Sequence, residues 1–92
     1  MALIVITKQL EVTNELGLHA RVASRIVREA RKFQSSALVH KEGKVFDLKN
    51  VTGVITVNAK RGDILTIEFD GDDEENAADA MEILFNDRFG EK

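Results

Sequence analysis

His19 and Arg21 stand two residues apart where a turn meets a helical pattern, and that pairing suits chemistry on phosphate. A neutral imidazole is a competent nucleophile toward phosphorus, and a guanidinium grips phosphate oxygens with a rigid fork of donors. A helix start adds free backbone N–H groups, here at Ala20 and Arg21, and the positive end of the helix dipole. Gly17, two residues before His19, lets the chain turn tightly enough for the imidazole to stand exposed on the helix cap.

Arg21 also breaks a local rule. The last helical pattern opens on four consecutive acids, Asp72 to Glu75, as the dipole favours, whereas the first has no acid in its first turn and a permanent cation instead. That costs about 0.3–1 kcal/mol at an exposed site. Rules of this kind are broken most often where function requires it. Spacing alone still leaves His19 open to a plainer reading, as a surface residue near the cap with Arg21 a tolerated misfit.

The elements that must position these residues follow from hydrophobic periodicity. Ile4, Ile6, Leu10 and Val12 alternate with polar neighbours at Lys8 and Glu11, which predicts a half-buried strand over residues 3–13. Val22, Ala23, Ile26, Val27, Ala30 and Phe33 share one helical face opposite the arginines, and Ser35-Ser36 ends that helix. Ala37–Lys41 and Lys44–Leu48 are short strands joined at Glu42-Gly43. Leu65, Ile67 and Phe69 mark a strand with one buried face, and Ala77, Ala80, Met81, Leu84 and Phe85 the stripe of a last helix closed by Arg88 and Gly90. Residues 50–58 stay open: Val51, Val54, Ile55 and Thr56 are β-branched, yet their spacing fits a helical turn behind Asn50 as cap. The order predicts an α+β domain, a four-stranded antiparallel sheet with the helices on one face.

Composition bounds the function. The 92 residues allow one domain, 1–92, burying roughly 60–65% of its unfolded surface. Without cysteine there is no disulfide, thiolate metal site or thiol nucleophile, which fits a reducing cytoplasm, and no residue cluster suggests a metal or cofactor. A net charge of -3 with five Phe as the only aromatics argues against a nucleic-acid reader. No apolar run approaches a membrane span, so no membrane insertion is expected. The charge is uneven: residues 1–62 hold eleven basic and five acidic side chains, residues 63–92 two and eleven. The acidic section reads as solvated surface and a helix start.

Asn14-Glu15-Leu16-Gly17-Leu18-His19-Ala20-Arg21 resembles the active-site segment of the HPr family, the histidine phosphocarriers of the bacterial phosphoenolpyruvate-dependent phosphotransferase system. Gly43-Lys44, Leu48-Lys49, Gly53, Lys60, Gly62 and the acids near Asp73-Glu74 match that family in the same order, over nearly the whole chain. The resemblance implies an open-faced β-sandwich with three helices and tips residues 50–58 to helix. It implies that His19 accepts a phosphoryl group on Nδ1 from enzyme I and passes it to a histidine of a IIA protein. Arg21 would neutralise phosphate oxygens, the Ala20 and Arg21 amides would assist, and no cofactor or metal is needed. Partner docking would use Leu18, Val51, Thr52, Gly53 and Ile55 beside the histidine, with Arg25 facing an acidic partner surface; the carrier is expected to be a cytoplasmic monomer. Core packing is the alternative for Val51 and Ile55, and a solvated helix position for Arg25.

Two positions depart from the family pattern. Val22 stands where a proline is usual, and Asn50 where many relatives carry a regulatory serine; asparagine still caps a helix and has no hydroxyl to phosphorylate. His40 reads as surface. The output is either sugar uptake or a nitrogen-related branch with a different IIA partner, which the closing Leu84-Phe85-Asn86 and Phe89 resemble somewhat. A small phosphate-binding hydrolase such as an acylphosphatase, or an α+β binding module, is the alternative of another class.

Overall fold

A computed structural model describes residues 5–91. Four strands, β1 (Ile6–Glu11), β2 (Ser36–Lys41), β3 (Lys44–Asp47) and β4 (Ile64–Asp70), form one antiparallel sheet in the order β1-β4-β2-β3. Three helices, α1 (Ala20–Ala30), α2 (Val51–Val57) and α3 (Glu74–Asn86), complete the open two-layer α+β arrangement, and a 3-10 turn over Arg88–Gly90 follows α3. The order strand, helix, strand, strand, helix, strand, helix is the expected one. Leu3 and Ile4, the predicted beginning of the first strand, lie outside the described residues.

The core lies between the layers. β4 sends Leu65, Ile67 and Phe69 into it, β2 adds Ala37 and Val39, and α1 adds Val22, Ala23, Ile26, Val27 and Ala30, all buried. Lys8 corrects the simple inside-outside reading of β1. It pairs with Ile67 and shares a face with Ile6 and Leu10, so its stem lies towards α3 and its ammonium reaches Glu82 at 3.3 Å.

Residues 50–58 are helical because both ends are capped and one face is buried. The Asn50 side chain accepts from the Gly53 N–H at 3.1 Å, Asn58 closes the helix in a left-handed conformation, and Val54 and Val57 pack into the core. In α3 the buried stripe is Ala77, Ala78, Met81 and Phe85; Ala80 and Leu84 are only half-buried, because the stripe is rotated towards Ala78. Beyond α3 the chain reverses through positive φ at Arg88 and Phe89. That reversal buries Phe89 edge-on against Phe85, ring centres 4.7 Å apart, and carries Gly90 and Glu91 back to the start of α1.

The acids before α3 do more than complement its dipole. Asp73 accepts from the Gln34 and Ser35 backbone N–H groups at 2.9 Å each and from the Ser35 hydroxyl, tying the connection between α1 and β2 to the start of α3. The hydroxyl first, then the Gln34 amide, hold its carboxyl below the usual 3.8. A depressed value contributes stability that is whole above 3.8 and is lost as pH falls through the folded value. Asp73→Asn is therefore expected to unfold at lower urea than wild type at neutral pH, and to lose less of its remaining stability on acidification; urea titrations at both pH values check this.

Candidate active site

Two backbone hydrogen bonds and one close approach build the loop before α1. The Leu18 N–H donates to the Ala59 carbonyl at 3.1 Å, and the Gly17 N–H to the Asn14 carbonyl at 3.4 Å. Gly17 itself sits at φ +71°, and a β-carbon there would fall 2.5 Å from the Ala59 carbonyl oxygen. Close approach and left-handed backbone together admit glycine alone without displacement. The segment after α2 thus holds the loop that presents the histidine.

His19 is the N-cap of α1, a place more often taken by Ser, Thr, Asp or Asn. Its Nδ1 accepts from the Arg21 N–H at 3.3 Å, and its Nε2 lies 3.1 Å from Glu91 Oε1. The two contacts specify one neutral tautomer: Nδ1 bears the lone pair and Nε2 the proton, which points at the carboxylate. The side chain is 29% exposed. A lone-pair nitrogen over the first turn of a helix, next to unpaired amides, is placed to attack an electrophile whose oxygens those amides would then hold. Val22 occupies that same turn, where an N–H has no carbonyl one turn earlier, and its side chain is wholly buried.

Glu91 is the residue that local sequence patterns did not single out. Its Oε1 accepts from His19 and, at 3.4 Å, from the Asn14 carboxamide, while its Oε2 is 3.7 Å from Arg21 Nη1. The His19 hydrogen bond is the chief cause holding its carboxyl below 4.5 despite partial burial, with Asn14 and the neighbouring charges helping. The contact therefore contributes stability that is whole above 4.5 and is lost as pH falls through the folded value. Arg25 faces the same tail: a β-carbon at Gly90 would lie 2.7 Å from its guanidinium. Arg21 is 80% exposed, and beside it opens a shallow cleft of about 390 Å³ lined by Glu15, Leu16, Arg21, Arg25, Gly90 and Glu91.

The structure places His19, Ala20 and Arg21 at the start of α1, with Arg25 one turn further along the helix and lining the same cleft as Arg21. Of the residues expected to dock partners, Thr52 and Ile55 are exposed, Val51 and Gly53 half-buried. Leu18 is corrected: it is 4% exposed and belongs to the core, because the Ala59 bond turns its side chain inward. The apolar side chain left at the surface of this loop is Leu16, 74% exposed, which periodicity had no means to choose inside a turn. His40 lies on β2, exposed, 3.9 Å from Glu68. Among the described residues no group of three His, Cys, Asp or Glu is arranged to hold a metal, and no helix is long and apolar enough to cross a membrane.

Residues 6–87 match the family model described as PTS HPr component phosphorylation site. The chain is 39% identical over 83 residues to phosphocarrier protein HPr of Xylella fastidiosa, covering 90% of this chain and 93% of the relative. It is 34% identical over 76 residues to the HPr-like protein Crh of Halalkalibacterium halodurans, covering 83% and 90%. Among solved structures, HPr from Thermoanaerobacter tengcongensis superposes with a TM-score of 0.90 at 34% identity, over 95% of this chain and 98% of that one.

Proposed function

The chain belongs to the HPr family of phosphotransferase-system phosphocarriers, and on that premise we propose that His19 is the phosphoryl relay between enzyme I and a IIA protein. The observation that carries this is the orientation of the imidazole, with Nδ1 facing the α1 amides and Nε2–H anchored on Glu91.

The Nδ1 lone pair forms a bond to phosphorus as the phosphorus–nitrogen bond of the donor phosphohistidine breaks, its electron pair returning to the donor ring. Positive charge grows on the His19 ring as the new bond forms, and the Glu91 carboxylate on Nε2–H stabilises it. The Arg21 N–H, released from Nδ1, turns to a phosphoryl oxygen, and the exposed guanidinium of Arg21 neutralises the others. Onward transfer to IIA is the same sequence reversed, so a site that is exposed and holds phosphate with few donors suits a carrier. Leu16, Val51, Thr52 and Ile55 form the apolar docking surface of this proposal, with Arg25 at its basic edge. Asn50 caps α2 and offers no hydroxyl, so control by serine phosphorylation at that position is absent.

Incubation with phosphoenolpyruvate and enzyme I, read by intact mass before and after mild acid, tests the proposal. One acid-labile phosphoryl group per chain supports it; none with an active enzyme I overturns it. The IIA protein that then strips the phosphate assigns the sugar or the nitrogen branch. Arg21→Ala is expected to slow uptake roughly 100-fold, the effect of losing a charge-stabilising donor. Its stability should change by less than about 1 kcal/mol, since the guanidinium is exposed and 3.7 Å from Glu91, so that the pair contributes little, and the cation opposes the helix dipole. Stopped quench kinetics and a thermal melt measure the two separately.

A further inference from the structure

We infer that Asn14 is a positioning residue for phosphoryl acceptance, an inference that rests on the role proposed for His19. Asn14 is 1% exposed, directly beneath the loop. Its Nδ2 donates to the Gly17 carbonyl at 2.8 Å and to Glu91 Oε1 at 3.4 Å. Both partners are acceptors only, so the donor end of the carboxamide must face them. The other end, Oδ1, is buried and without a hydrogen-bond partner among the described residues. Side chains kept for packing alone rarely leave a buried polar atom unpaired; here the donor end performs two tasks that an apolar side chain has no means to perform.

Those tasks converge on the nucleophile from two sides. The Gly17 carbonyl that Asn14 holds also accepts from the His19 N–H at 3.0 Å, which fixes the backbone of the histidine. The Glu91 oxygen that Asn14 holds is the one that accepts from Nε2 of the ring. One carboxamide thus seats both the backbone and the imidazole, and with them the direction of the Nδ1 lone pair. Asn14 touches no reacting atom.

The test compares wild type with Asn14→Ala and Asn14→Asp as full chains, by ¹⁵N signals of the His19 ring and by the rate of phosphoryl acceptance from enzyme I. In both variants the ring nitrogens should move from the fixed Nε2–H pattern towards those of a free imidazole, and acceptance should fall about tenfold, as for a slightly misplaced nucleophile. Asp also sets a second carboxylate against Glu91, so its effect should be the larger. In a Glu91→Ala background, Asn14→Ala should move the ring nitrogens much less. Folded variants with wild-type ring signals and wild-type rate overturn the inference. Should neither variant fold, the wild-type Asn14 side-chain amide signals decide: they must shift as Glu91 titrates, and signals that ignore that titration overturn it. The ring signals need no phosphoryl donor, so failure of wild type to accept phosphate would count against the carrier role alone.

Discussion

His19→Ala takes up no phosphoryl group from phosphoenolpyruvate and enzyme I, yet unfolds cooperatively close to the wild-type temperature. The expected contrast follows from where the ring sits. It makes one 3.3 Å cap bond to the Arg21 amide and one bond to a tail residue, and it fills no part of the core. Losing a cap costs about 1 kcal/mol, which is roughly 4–8 °C in melting temperature for a domain of this size. The chemistry has no such margin. The other imidazole, His40, is on β2 and faces Glu68, remote in sequence from the α1 amides that would hold the phosphoryl oxygens. Glu91, although beside the site, would form only an acyl phosphate, which mild base distinguishes from phosphohistidine. Intact mass with acid and base treatment, run alongside a melt, reads both halves. A label that survives in His19→Ala would move the nucleophile elsewhere, and a collapse of the fold would make the histidine structural.

The sequence marks some elements far more clearly than others, for physical reasons. β4 was legible because Leu65, Ile67 and Phe69 alternate with polar residues on a sheet that is buried on one side. α1 was legible because five buried residues recur at helical spacing. α2 was not, since Val51, Val54, Ile55 and Thr56 carry strand propensity and the deciding interactions are the Asn50 and Asn58 caps. Within the site, His19 and Arg21 were found by their chemical type and by the dipole rule that Arg21 breaks. Asn14 looked like turn chemistry, and its second partner is 77 residues away. Glu91 gave no local sign at all, because its arrival depends on the left-handed reversal at Arg88 and Phe89 and on the burial of Phe89. Leu16 and Leu18 differ by two positions in an irregular loop, where no period tells inside from outside; the Ala59 hydrogen bond decides.

Gly17→Ala should be the most damaging single methyl group that the site region can receive. Two costs combine. The residue must hold φ +71°, a left-handed conformation that costs an L-residue about 1–2 kcal/mol. The new methyl also meets the Ala59 carbonyl oxygen at 2.5 Å and the Lys60 α-carbon at 3.1 Å, both backbone atoms with no rotamer to turn aside. Relief requires the loop to lift from the α2–β4 connection, which breaks the 3.1 Å bond from the Leu18 N–H and adds about 1 kcal/mol. The sum is roughly 2–3 kcal/mol, or about 8–24 °C in melting temperature. Gly43→Ala supplies the control, because Gly43 shares the conformation at φ +77° but a β-carbon there meets nothing within 4 Å. The difference between the two variants isolates the steric contact from the conformational cost. If both melt at the same temperature, the close approach of the loop to Ala59 is wrong. If Gly17→Ala alone is severely destabilised, the fraction that remains folded should also accept phosphate slowly, because the displaced carbonyl of residue 17 is the one that seats the His19 backbone.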